Sequence, residues 1–310
     1  MRVLFMGSGT LACPALERLL DDPTYDVVTV VTQPDKPKGR HRAVAPCPAK
    51  EYAEAKGVPV MTPERIGADE AVEEIRALSP DIIVVAAYGQ YIKPAVLEIP
   101  PLEAINIHPS LLPKYRGASP IQWAVANGEE ETGVTILYVS KEMDAGDIVL
   151  QRRMPIDPDD TAASLTPRLA ELGAALLMDA LAGIRAGTAA RYPQAHEEAT
   201  VVHKLEKEDG RIDWSLPAET IRNRVRGFNP WPGCFTTLDG RLLKVWKAEV
   251  LSGSHAEAPG AVLRCEAAGP VIATGEGTLR LAEVQPEGKK AMSGTAFLCG
   301  HPLPPGLRLG

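Results

Sequence analysis

Residues 1–33 read MRVLFMGSGTLACPALERLLDDPTYDVVTVVTQ. The apolar run Val3–Met6 reads as a buried strand, Pro14–Leu20 carries its apolar residues at helical spacing, and a second apolar run follows at Val27–Thr32. Near-continuous apolar strands separated by a helix are what a parallel sheet covered on both faces requires. The pattern continues through Val58–Met61, Ile82–Ala87 and Ile105–Ile107, with helical stretches such as Ala71–Leu78 between them. The expected fold class is therefore α/β, a doubly wound, mostly parallel, Rossmann-like sheet. Ligands of such sheets bind beyond the carboxyl ends of the strands. That directs attention to Gly7–Thr10, Gln33–Pro48, Tyr88–Tyr91 and His108–Gly117.

Farther along the chain the pattern changes. A long helix is expected over Ser164–Arg185, and the polar stretch that follows lacks an apolar period. One further helix, Ala218–Arg226, then precedes five short strand-like runs at Phe235–Leu238, Leu242–Ala248, Ala261–Cys265, Val271–Thr274 and Leu279–Val284. Five short strands between Gly and Pro turns suggest a small closed or partly closed β-barrel, of which the OB-fold is one form. The expected domains are 1–187, a linker at 188–203, and 204–310.

At 310 residues, 45% hydrophobic and 24% charged, the chain has the composition of a folded globular protein of about two domains. Its net charge of −7 excludes a global basic field, so any nucleic-acid contact must be local. The average conceals an asymmetry: Lys and Arg number 19 against 28 Asp and Glu up to Val202, but 14 against 12 from His203 onward. The five cysteines stand singly at 13, 47, 234, 265 and 299, without CxxC spacing, so neither a disulfide framework nor a metal site is expected. No apolar run approaches the roughly 18–20 residues of a membrane span, and the chain enters a strand at Arg2, which makes a cytoplasmic protein the expectation.

The glycines of Gly7-Ser8-Gly9-Thr10 make a poor dinucleotide fingerprint. Ala12 stands at the third glycine position and no acid closes the second strand, so a tight strand-to-helix turn accounts for them. The stretch INIHPSLLPKYRG, residues 105–117, is more informative. It leaves a strand with Asn106, His108 and Ser110 at alternate positions, which can direct an amide donor, an imidazole and a hydroxyl to one side. Read blandly, it is a capped strand end with a hydrogen-bonded histidine. Asp144 and Asp147, in the turn MDAGDIV at 143–149, are equally explicable as turn-capping residues.

The string INIHPSLLPKYRGASPIQWA, with ETGVTI and MDAGDI after it, resembles the folate-dependent formyltransferases. That resemblance implies a catalytic trio of Asn106, His108 and Asp144. It implies 10-formyltetrahydrofolate as co-substrate and no metal. It lays Ser110, Leu111, Leu112 and Pro113 along the folate, with Tyr88, Gly89 and Ile92 bordering the pterin. Pro109 is a departure, since small residues are usual there and proline removes one backbone donor.

In the second half, KEDGRIDW (207–214), FNPWPG (228–233), KVWKA (244–248) and ATGEG (273–277) resemble the carboxyl-terminal domain of the branch that formylates initiator methionyl-tRNA. The implied reaction is direct attack of the methionyl α-amino group on the formyl carbon, with no covalent enzyme intermediate. The resemblance also implies that the basic loop Lys36–Arg42 occupies the position of a tRNA-contacting insertion. On this reading the nucleic-acid residues are Lys38, Arg40, Arg42, Lys204, Arg222, Arg226, Lys244 and Lys247. Trp231 and Trp246 could stack bases, although burial in a small core is the simpler expectation. The partners implied are initiator methionyl-tRNA and folate, with no membrane, and a monomer is the default. The alternatives are a formyltransferase for a sugar-nucleotide or other small amine, an inactive binding module, and a dehydrogenase.

Overall fold

In the computed structural model, which describes residues 1–38 and 43–310, the chain divides into two compact units. The first comprises residues 1–117, 131–155 and 166–201, and the second 118–130, 156–165 and 202–310. The stretch 188–201, within the segment expected as a linker, thus counts with the first unit.

Among the described residues the main sheet of the first unit has seven strands: β1 (Arg2–Gly7), β2 (Asp26–Val31), β3 (Val60–Met61), β4 (Ile82–Ala86), β5 (Ala104–His108), β6 (Glu131–Tyr138) and β7 (Ile148–Pro155). Their order is β7-β6-β5-β4-β1-β2-β3. The pairs β1–β2, β1–β4, β4–β5 and β2–β3 are parallel, whereas β6 runs antiparallel to both β5 and β7. The order reverses at β1, so the carboxyl ends of β1 and β4 form a topological switch point. Helices α1 (Cys13–Asp21), α2 (Pro48–Ala55), α3 (Asp69–Leu78) and α4 (Pro94–Leu97) fall in the connections of the parallel strands. Strand β4 is buried at every position, as a central strand covered on both faces must be. Leu4, Met6, Val31, Ile83 and Val85 pack together with Tyr88 and Ile92.

In the second unit, α5 (Pro120–Ala126) and α7 (Ala218–Gly227) lie with an antiparallel sheet. Between them in sequence, α6 (Ala162–Ala186) begins in the second unit and continues in the first. The sheet contains β8 (Cys234–Leu238), β9 (Arg241–Leu251), β10 (Val262–Glu266), β11 (Gly269–Ala273), β12 (Thr278–Pro286) and β13 (Met292–Ser293). Strands β8 to β12 coincide closely with the five runs expected from sequence, and β13 has no counterpart among them. Among the described residues the pairing follows an open path, β8-β9-β12-β11-β10 with β13 beside β12, and not a closed ring. Val225 of α7 and Phe228, the residue just after that helix, pack with Val245, Leu281 and Val284 of the sheet. Helix α8 (Gly294–Gly300) is capped by Ser293, whose hydroxyl accepts from the Ala296 amide at 3.2 Å. Ser293→Ala is expected to cost about 1 kcal/mol of stability, read by urea denaturation of the full chain. An unchanged midpoint would show that this cap contributes nothing.

Candidate active site

Asn106 and His108 stand two residues apart at the carboxyl end of β5 and therefore share a face, with Ile107 buried on the other. His108 is 4% exposed. Its Nε2 donates to the Tyr115 carbonyl at 2.9 Å, which leaves Nδ1 facing Asp144 Oδ2 at 3.5 Å. The other carboxylate oxygen, Asp144 Oδ1, accepts from Asn106 Nδ2 at 3.4 Å. Three polar side chains from β5 and a turn 36 residues farther on thus meet.

Asp144 is held by its own turn and by a more distant amide. Its backbone is left-handed, with φ of 52°, at the tip of the turn between β6 and β7. Gly146 follows where any Cβ would fall 1.9 Å from the Tyr138 carbonyl oxygen, so only glycine lets the turn lie against β6. Asp147 continues the antiparallel pairing by accepting from the Tyr138 amide at 2.9 Å. The Gly117 amide donates to Asp144 Oδ2 at 2.8 Å. The contacts within the trio are long, 3.4–3.5 Å, while the Gly117 contact that fixes the carboxylate is short. The carboxylate is anchored, the Asn106 amide retains donor capacity, and His108 Nδ1 is open to a proton.

The other sequence candidates fall into place differently. Ser110 lies beyond the end of β5, is buried, and gives its hydroxyl to the Lys114 carbonyl at 2.7 Å and not to the trio. The main chain of this segment is tied to Thr135, whose Oγ1 donates to the Ser110 carbonyl at 2.7 Å and accepts from the Leu112 amide at 3.2 Å. Leu112 is buried, whereas Leu111 and Pro113 are half-buried and present apolar surface. Tyr88 and Ile92 place their side chains in the core, and burial pushes the Tyr88 phenol up to about 12. Ala87 and Gly89 are exposed on either side, with φ of 49° and 82°. The Tyr88 carbonyl between them accepts from Gln33 Nε2 at 2.8 Å. The end of β4 therefore offers exposed main chain at the switch point.

Lys38 stands on a short strand, Lys36–Lys38, paired antiparallel with Ala43–Ala45, and Arg40 and Arg42 lie outside the described residues. In the second unit, Lys204 and Lys247 are exposed. Arg222 and Arg226 share a face of α7, and both are engaged within that unit. Arg222 donates to Glu219 and to the Pro158 carbonyl, and Arg226 to the Asp160 carbonyl at 2.9 Å and to Asn223. Burial, and then Arg222, lower the Arg226 guanidinium below its ordinary range. Trp231 is 53% exposed and Trp246 is half-buried with the Lys244 ammonium 5.1 Å from its ring. The expectation that both would be core residues is corrected: Trp214 fills that role, buried and donating to Thr236 Oγ1. Among the described residues no cluster of three or more His, Cys, Asp or Glu could hold a metal ion. No helix among them is long and apolar enough to cross a membrane.

Sequence reasoning gave no role to Arg116 or Gln194. Both are buried, Arg116 beside the Gly117 amide in the chain, and Gln194 with its amide against the Asp144 turn. Neither carried a signal, because a polar residue in a segment without apolar period looks like a solvated one.

Two family models match the chain: "Formyl transferase" over residues 1–181 and "Formyl transferase, C-terminal domain" over 204–302. The chain is 46% identical over 307 residues to the methionyl-tRNA formyltransferase of Caldanaerobacter subterraneus, covering 99% of each protein. It is 45% identical over 310 residues to that of Geobacter metallireducens, covering 100% of this chain and 99% of the relative. Among solved structures it is similar to an N-formyltransferase from Helicobacter canadensis in complex with folinic acid and dTDP-3-aminofucose. That likeness has a TM-score of 0.67 at 19% identity over 90% of this chain and 98% of the other, and it speaks for the fold alone.

Proposed function

This chain belongs to the formyl transferase family, and from that premise we propose that it transfers the formyl group of 10-formyltetrahydrofolate to the α-amino group of methionyl initiator tRNA. The observation that carries the chemistry is the meeting of Asn106, His108 and Asp144 at the end of β5 around an anchored carboxylate. The full-length likeness to methionyl-tRNA formyltransferases selects the acceptor.

The residues present fit a folate. A pterin needs a main-chain edge to pair with. Ala87 and Gly89, both exposed, offer such an edge, and the glycine makes room for Gln33 Nε2, which would lie 2.2 Å from a Cβ there. Tyr88 and Ile92 form its apolar support, and Leu111 and Pro113 offer surface for the remainder of the molecule. When bound, 10-formyltetrahydrofolate supplies an activated formyl group. Asn106 Nδ2 then donates toward the formyl oxygen, where negative charge gathers as the amine adds, and His108 Nδ1 becomes a second donor once it has taken the amine's proton. His108 Nδ1, its lone pair open while Nε2 donates to Tyr115, takes the proton that the amine sheds and would return it to the departing N10 nitrogen as the bond from the formyl carbon to N10 breaks, with Asp144 orienting the imidazole. An α-amino group with a pKa of about 8 is partly neutral near pH 7, so the amine attacks directly without a covalent enzyme intermediate.

We further read residues 1–187 as the transfer domain, 188–203 as the connection and 204–310 as a tRNA-binding, OB-like barrel. Support for the barrel comes from β9, an 11-residue strand bent by irregularities after Val245 and after Lys247. Lys38, Arg40, Arg42, Lys204, Lys244 and Lys247 are assigned to tRNA phosphates. Arg222 and Arg226, whose donors are engaged, contribute charge. A tRNA substrate puts the work in the cytoplasm, and the working form is read as a monomer.

Radiolabelled formyl donor offered with initiator methionyl-tRNA, elongator methionyl-tRNA, free methionine and an amino sugar nucleotide tests the acceptor. Label on the initiator alone is expected, and label on the sugar instead would overturn the assignment. Arg42→Ala should raise the KM for methionyl-tRNA about tenfold, the loss expected for one charged phosphate contact. Folate affinity should be unchanged. A tRNA KM insensitive to the substitution at all salt concentrations would remove Arg42 from the interface.

A further inference from the structure

Gln194 sits in a polar segment between the end of α6 and the second unit, yet it is only 6% exposed. Its Nε2 donates to two carbonyls of the catalytic turn on either side of Ala145, Asp144 at 2.9 Å and Gly146 at 2.8 Å. Its Oε1 accepts twice from the buried Arg116, from Nε at 3.0 Å and from Nη2 at 2.7 Å. A primary amide has two N–H donors and two acceptor lone pairs, so Gln194 is fully spent in this position. Among the described residues, Arg116 makes no ion pair with a carboxylate; its other contact is His196 Nδ1, at 3.3 Å from Nη2.

The consequence lies in what adjoins Arg116. Tyr115 gives its carbonyl to His108 Nε2, and Gly117 gives its amide to Asp144 Oδ2. Three consecutive residues thus orient the imidazole, grip the Gln194 amide, and anchor the carboxylate. Thr200 holds that run from behind, accepting from the Tyr115 amide through Oγ1 and from the Arg116 amide through its carbonyl, each at 2.8 Å. Asp144, with left-handed backbone, is held through its carboxylate by Gly117 and through its main chain by Gln194. We infer that Gln194, braced by Arg116, is a positioning residue for formyl transfer, fixing the Asp144 carboxylate opposite His108 Nδ1.

A carboxylate in place of this amide retains the Arg116 contact but turns an acceptor toward two carbonyls. A thioether of similar length fills the space and makes neither contact. Gln194→Glu and Gln194→Met are therefore the informative changes, and Arg116 remains intact in both. The inference rests on the proposed reaction, but it can be read on any amine that the wild-type protein formylates, and on a measurement that needs no turnover.

In the full-length protein, Gln194→Met is expected to lower kcat about tenfold, with KM for both substrates within twofold, and Gln194→Glu to lower it further. Placed on Asp144→Ala and followed in single turnovers, Gln194→Met should cause no additional loss, because the side chain it positions is gone. Hydrogen exchange at the Gly117 amide should quicken in both Gln194 variants while the thermal midpoint falls little. Additive losses in the double variant, a loss confined to KM, or unchanged protection of Gly117 would each overturn the inference. Failure of the wild-type protein to formylate methionyl-tRNA would count against the acceptor assignment alone.

Discussion

Replacing His108 by alanine is expected to lower the turnover of formyl transfer by about 100-fold or more, with folate and tRNA affinities nearly unchanged. The imidazole is 4% exposed and held by the Tyr115 carbonyl on one nitrogen, so its other nitrogen has a fixed place beside Asp144. A proton acceptor fixed in advance costs little reorganisation when the amine adds and sheds its proton, which is why its removal should fall on kcat and not on KM. Steady-state kinetics with 10-formyltetrahydrofolate and methionyl initiator tRNA, with far-UV circular dichroism to verify folding, make the test. Turnover within a few-fold of wild type would remove His108 from the chemistry, because no other described imidazole contacts Asp144.

Gly146→Ala should have a comparable effect without touching any reacting group. The new methyl would lie 1.9 Å from the Tyr138 carbonyl, a main-chain atom in β6 that is fixed by pairing on both sides. The turn must yield, and with it the Asp144 carbonyl and carboxylate two residues back. Displacement of a catalytic group by about 1 Å can cost on the order of 100-fold in rate, and that is the loss expected in kcat. The accompanying destabilisation should be about 1–3 kcal/mol, as for overpacking elsewhere. Far-UV circular dichroism and denaturant titration would separate a shifted turn from a lost fold. A folded Gly146→Ala protein with wild-type kcat would show that the turn tolerates movement and that Asp144 needs no fine placement.

The alternating sheet was legible because strands covered on both faces must be apolar throughout, and the runs at Val3–Met6, Val27–Thr32 and Ile82–Ala87 fall on β1, β2 and β4. Asn106 and His108 were legible as a pair because a strand fixes alternate residues on one face. Ser110 was misjudged by extending that alternation past the strand, which ends at His108. Trp231 and Trp246 were misjudged because aromatic character alone does not say which face of a turn or strand a ring occupies. Of the closed or partly closed barrel expected from five short strands, the antiparallel sheet is present, and its pairing follows an open path among the described residues. Strand count constrains a sheet's size, whereas closure depends on pairing between its edges.

The amino-acid order by itself determined the α/β first half, the strand-rich second half and the identity of the two polar side chains on β5, since each follows from local periodicity. Only the folded chain decided that Asp144 stands at His108 and that Gln194 and Arg116 stand behind Asp144. Those partners are separated by 36, 50 and 78 residues respectively. Hydrogen bonds between such distant segments leave no period in the sequence, because they depend on how strands and turns pack and not on the spacing of neighbours along the chain.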